Sequence, residues 1–234
     1  MLDQALAALK TFDWGSDLNA LNPIEEAVVA SHGKAEAKQK LEQQLLAALQ
    51  GGLSRDAREY ICRKLAMVGS ASAVPALAPL LISADSSHMA RFALEQIPGP
   101  EAAQALRDAV SKASGAVKIG IVSSLGARRD GASVPFLGEL LKDADVAIAR
   151  SAALALGAIG NAEAATMLHS SLKVPGGHVA SVIDALLSCA ESLLANQKRS
   201  EASAIYQNLT HESQPRLVRL AATRGLLACA AGVS

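Results

Sequence analysis

The chain has 234 residues, half of them hydrophobic but only 3% aromatic, with 22 basic and 22 acidic side chains and a formal net charge of zero. Ala and Leu dominate, and β-branched or aromatic runs are few, a composition that favours helices and excludes a strand-built domain. The neutral balance argues against a protein built to hold phosphate backbones, so nucleic acid is not an expected partner.

The N-terminal MLDQALAALKTF carries an acid at Asp3 and lacks the apolar core of a signal peptide. Phe12 and Trp14 follow, the one locally aromatic spot, and are expected to seal the end of the core. DLNALNPIEEAVVASHG and AEAKQKLEQQLLAALQ then form a polar helix pair over 13–50, suited to capping an array. From residue 54 the chain repeats itself. Leu65, Leu94, Leu125 and Leu156 recur at steps of 29, 31 and 31, and Leu77, Leu106, Leu137 and Met167 follow the same rhythm. Each unit reads as two helices. The first carries apolar residues at helical spacing, such as Ile148, Ala152, Leu156 and Ile159. A break follows at Gly69-Ser70, Pro98-Gly99, Arg129-Asp130 or Gly160-Asn161, with residues that stop and cap helices. The second helix opens with Val-Pro in AVPALAPLL and SVPFLGELL, whose Val74, Leu77, Leu80 and Leu81, or Val134, Leu137, Leu140 and Leu141, are expected to face the core. Residues 176–209 read as a degenerate further pair and 213–231 as one more first helix, with Leu217, Leu220, Ala221 and Leu227 on its apolar positions.

DGASVPFLGELLKDADVAIARSAALALGAIG resembles the short bacterial HEAT-like repeats, including those of phycobilisome lyase-type proteins. The acidic linker, the Leu-Gly-x-Ile-Gly helix end and the Val-Pro-x-Leu opening carry the likeness, which is good over 54–173 and degenerate over 13–50 and 176–231. It implies an all-α fold, a right-handed α-solenoid of about six helix pairs, with residues 1–234 as a single repeat domain and the second helices on the concave face. The physics agrees, since one helix pair cannot bury both its apolar faces and stacked pairs can.

No chemistry stands out against that scaffold. The histidines His32, His88, His169, His178 and His211 show no i, i+3 or i, i+4 pairing, so neither a metal nor a cofactor is expected. Di-iron deoxyhypusine hydroxylases, also HEAT-like, carry His-Glu pairs on several repeats; here there is only His211-Glu212. HEAT-like DNA glycosylases need a basic face and aromatic residues around the flipped base, which a neutral chain with one Trp does not supply. Ser123-Ser124 lacks a GxSxG elbow, and Gly157-Ala-Ile-Gly160 ends a helix where a phosphate loop would follow a strand. Cys62, Cys189 and Cys229 show no CxxC and read as buried thiols. No run approaches the ~18 apolar residues of a membrane span. A cytoplasmic location follows, unless the chain is a segment of a larger exported protein.

The expectation is therefore a non-catalytic scaffold or adaptor that binds another protein through its concave face and inter-helix loops. His88 and Arg91, at the start of a first helix, and the loop Arg128-Arg129-Asp130 are the expected contacts. The recurrent cations Arg58, Arg91, Lys118, Arg150 and Arg219 are expected to pair with linker acids or neighbouring carbonyls. An accessory lyase or isomerase acting on a chromophore-bearing partner is the alternative that the resemblance implies, with Tyr206, Asn208, His169 and Asp184 as its polar groups. The last helix has no second helix after it, so Leu226, Leu227 and Val233 are expected at an uncovered surface, where the chain could pair with another copy.

Overall fold

The computed structural model describes residues 1–172 and 178–231, and among these every regular element is helical. The α-helices are α1 (Leu2–Ala8), α2 (Asn22–Ala30), α3 (Ala35–Leu49), α4 (Arg55–Val68), α5 (Val74–Leu77), α6 (Ser87–Gln96), α7 (Pro100–Val110), α8 (Gly115–Ala127), α9 (Val134–Leu140), α10 (Val146–Ile159), α11 (Ala162–Ser171), α12 (Val179–Ala195), α13 (Arg199–Leu209) and α14 (Arg216–Ala230). From α2 to α13 they alternate as first and second helices of six pairs, as the repeat period predicts, with α14 as a further first helix. The chain divides into two compact units, Met1–Ser124 and Leu125–Ser234.

Within each unit the pairs stack in register. In the first, α4 packs on α6; in the second, α10 packs on α12 and α9 on α11. The anchor leucines Leu65, Leu94, Leu125 and Leu156 are all fully buried, as are Leu77, Leu106 and Leu137. The last anchor differs from expectation. Leu168 is fully buried while Met167 is only half-buried, so the second helices keep the same steps as the first helices. Leu80 and Leu140 are likewise half-buried, and Leu81 and Leu141 fill the core beside Val74 and Val134.

Local chemistry sets the helix ends. Ser54, Asp145 and Asn161 accept backbone N–H groups of Ala57, Ala147 and Ala164, capping α4, α10 and α11. Gly160 closes α10 at φ 64, a left-handed turn that suits glycine. Pro75 and Pro135 sit in the first turn of α5 and α9, where their missing N–H costs little. The two helices then diverge. Pro79 denies the next turn of α5 a donor, and the chain tightens into a 3-10 segment over Ala78–Ile82. Gly138-Glu139 stand at the equivalent positions of α9, which stays α-helical.

Close approach of first helices depends on small residues. A Cβ on Gly126 would lie 2.7 Å from the Cα of Ala155, and one on Gly157 would lie 2.9 Å from the Cα of Ala185. In the N-terminal cap, the Tyr60 hydroxyl donates to the Glu25 carboxylate at 2.8 Å and Lys64 pairs with the same carboxylate at 2.5 Å, tying α4 to α2. Burial raises the Glu25 carboxyl, but the Lys64 and Tyr60 hydrogen bonds outweigh it and leave its pKa below the ordinary value. Glu42 of α3 is buried and accepts both the backbone N–H and the hydroxyl of Ser70. The aromatic expectation fails at Trp14, which is 92% exposed. The core at that end holds Leu9, Leu21 and Ile24 instead. α1, absent from the sequence expectation, covers this end instead and packs on α2 and α3.

All three thiols are buried and free, as expected. Burial pushes Cys62 and Cys189 up to about 12. In the unfolded chain they ionise near ~8.5. As pH rises, the unfolded state therefore loses these protons first. The stabilisation is complete below that value and is lost between about pH 9 and 12. Replacing both thiols by Ala should flatten the fall of the urea midpoint between pH 8 and 10.5; an unchanged slope would contradict the assignment.

Candidate binding surfaces

Two open grooves lie between successive second helices, one in each unit. In Met1–Ser124, α5 and its 3-10 extension face α7 across a cleft of about 700 Å³. Pro75, Pro79 and a half-exposed Ile82 form one wall. The other wall carries a polar ribbon: Arg107 donates to the Gln104 carbonyl at 2.7 Å, and the Gln104 amide donates to Asp108 at 2.7 Å. In Leu125–Ser234, α11 and α13 flank a groove of about 340 Å³ whose floor includes Leu186 and Leu193 of α12. Its rim carries His169, Glu201 and Asn208, with Thr166 and Ser170, whose hydroxyls donate back to carbonyls of α11. Both grooves pair an apolar floor with polar groups that fix orientation, as binding clefts do.

His88 and Arg91 lie in the first unit, and Arg128, Arg129 and Asp130 in the second. His88 is exposed beside Phe92 and Arg63 in a shallow cleft of about 300 Å³. Arg91 is half-buried and serves as a strut from α6 to α8. Its guanidinium donates to the Gly120 carbonyl at 3.1 Å and to the Ser124 hydroxyl at 3.3 Å, and that hydroxyl donates to Glu95 at 2.5 Å. Burial lowers the Arg91 pKa and Glu95 opposes the shift. A Cβ at Gly120 would fall 2.6 Å from the Arg91 guanidinium carbon, so that glycine makes room for the strut. Ser124, without the elbow of a nucleophile, is thus a buried polar hub. Arg129 adopts φ 51, unusual outside glycine, and is exposed. Asp130 accepts the Ser133 hydroxyl and precedes the 3-10 turn Gly131–Ser133.

Of the recurrent cations, Arg91 meets a carbonyl of the neighbouring helix as expected, whereas Arg58 reaches back to the Ser54 carbonyl at 3.4 Å. The linker acids Asp143 and Asp145 also accept backbone N–H groups, of Asp145 and Ala147. Of the four groups weighed for chromophore chemistry, His169 and Asn208 share the α11–α13 groove. Tyr206 is buried against Gly225 and Asp184 is exposed on α12 outside that groove. Sequence reasoning missed Gln104, Asp108 and Glu201; the available signal is that they are the outward positions of second helices. Among the described residues no three His, Cys, Asp or Glu side chains cluster, and no helix is long and apolar enough to cross a membrane.

On α14, Leu227 is 67% exposed, at the uncovered surface where it is expected, and Leu217 and Leu220 are exposed as well, at 79% and 56%. Ala222 and Cys229 are buried instead, and Leu226 is half-buried. Val233 lies outside the described residues.

Comparison with known proteins gives the architecture a family context. An engineered protein solved by a structural genomics consortium shares 18% identity over 97% of this chain and 69% of its own, with a TM-score of 0.45. A second engineered protein shares 20% identity over 99% and 98% of the two chains, at a TM-score of 0.35. A designed armadillo repeat protein, solved in complex with the peptide (KR)4, shares 18% identity over 97% and 99%, also at 0.35. No curated protein matches the chain. Residues 103–187, from α7 into α12, match the family model of HEAT repeats, and over that stretch the protein is similar to the family to which its leucine spacing points.

Proposed function

We propose that the protein is a non-catalytic HEAT-repeat scaffold whose second-helix face holds a segment of another protein. The observation that carries this reading is the pair of grooves, each with an apolar floor and a polar rim. The exposed side chains of His88 and Arg129 supply further contacts, and Arg91, Arg128 and Asp130 position the elements that present them. The chromophore reading draws on the shared placement of His169 and Asn208, and it predicts an absorbance shift on mixing with a bilin.

Selection from a displayed peptide library should enrich segments that bind the intact chain. Asp108→Arg should weaken those using the first groove, and Glu201→Arg those using the second, each by at least about tenfold, or roughly 1.4 kcal/mol. Failure to enrich any peptide, or enrichment of peptides indifferent to both substitutions, would sink the proposal. A bilin shift lost on His169→Ala would replace it with the chromophore reading.

A further inference from the structure

The outward face of α14 carries a surface that the grooves do not use. At 100° per residue, Leu217, Leu220, Ala221, Arg224 and Leu227 fall on one side of the helix, and all five are exposed. The opposite side, with Ala222 and Cys229, is buried where α14 packs on α12 and α13. Three leucines so exposed on one helical face form a patch of the kind that marks an interface.

Arg224 decides what can cover it. It sits between Leu220 and Leu227, so a partner laid along the leucines also meets the guanidinium. A wholly apolar partner would leave a buried, unpaired charge, which is strongly unfavourable. The partner therefore brings a carboxylate, which an Arg receives in bidentate fashion. The α14 helix of a second copy has none to offer. α14 contains three arginines, Arg216, Arg219 and Arg224, and no Asp or Glu, and the nearest acid, Glu212, lies in the loop before the helix. Arg216 at the margin of the patch adds to the same sign.

We propose that this face docks an amphipathic helix of another protein that sets a Glu or Asp among its leucines, opposite Arg224. The spacing of Leu217, Leu220 and Leu227 is one of i, i+3 and i+10, which suits a helix laid along α14. This site is separate from the grooves of the proposed function and does not depend on them.

The test uses the intact chain and two labelled synthetic helices that share one leucine stripe, with either Glu or Lys at the central position. Fluorescence anisotropy should show the Glu peptide binding at least about tenfold more tightly, with affinity falling as salt rises. Arg224→Glu should reverse the order of the two peptides, and Leu220→Asp should abolish binding of both. Asp108→Arg, in the groove, should change neither. These positions are exposed, so each variant should keep the parent melting temperature. Equal binding of the two peptides, or Glu-peptide binding untouched by Leu220→Asp, overturns the proposal. So does a dimer seen by light scattering that Leu220→Asp dissolves, since the face would then be covered by a second copy.

Discussion

Leu168→Ala is expected to destabilise the protein by about 3 kcal/mol, and Met167→Ala by no more than roughly 1 kcal/mol. Both residues lie on α11, and both are apolar and of similar size. They differ in placement, since Leu168 is fully buried and Met167 is half-buried at the contact with Gly138. Truncating Leu168 removes its transfer free energy and leaves a cavity that the packed helices α9 and α12 cannot close without losing other contacts. Urea denaturation of the two variants measures the difference. Equal losses would place the repeat anchor back at Met167 and would break the shared rhythm of first and second helices.

Gly126→Val should cost about 3 kcal/mol, whereas Gly138→Ala should be close to neutral. The two glycines are both buried in helices, but their neighbours differ in what they can yield. A Cβ at Gly126 meets backbone, with the Ala155 Cα at 2.7 Å, so α10 itself would have to move. The branched side chain of Val adds two further methyl groups to that clash, in a core where overpacking costs about 1–3 kcal/mol. A Cβ at Gly138 meets the Met167 thioether at 3.0 Å, the flexible middle of a side chain that can turn aside. The gain of about 1 kcal/mol in helix propensity over glycine then offsets the local crowding. Thermal unfolding of the two variants distinguishes these cases. A Gly126→Val protein as stable as the parent would show that the first helices do not depend on this close approach.

Much of this architecture is legible in the sequence because its determinants are local. The Val-Pro openings and the helix break at Gly160-Asn161 each act within one or two turns of helix. They are met in the structure at the residues where the sequence places them. The shortening of α5 at Pro79 is also local, and the contrast between AVPALAPLL and SVPFLGELL carries it. The grooves were less legible. Their polar residues, Gln104 and Asp108 in one and His169, Glu201 and Asn208 in the other, sit on outward positions that have no pattern of their own.

By itself the sequence determined the helices of the repeats and their pairing, though not α1, and it showed no recognisable catalytic motif. Tertiary structure decided which stripes are covered and which cations are spent on structure. Arg91 reads as a contact residue until α8 closes over it, with Gly120 and Ser124 supplying its partners. Leu226 and Leu227 read alike as uncovered until the helix is seen to turn Leu227 outward and leave Leu226 half-buried. The physical reason is common to both. Helical periodicity specifies that a face is apolar or charged, and that information is complete within fifteen residues. Whether another helix lies against that face depends on where distant segments come to rest, and no short window of sequence encodes it.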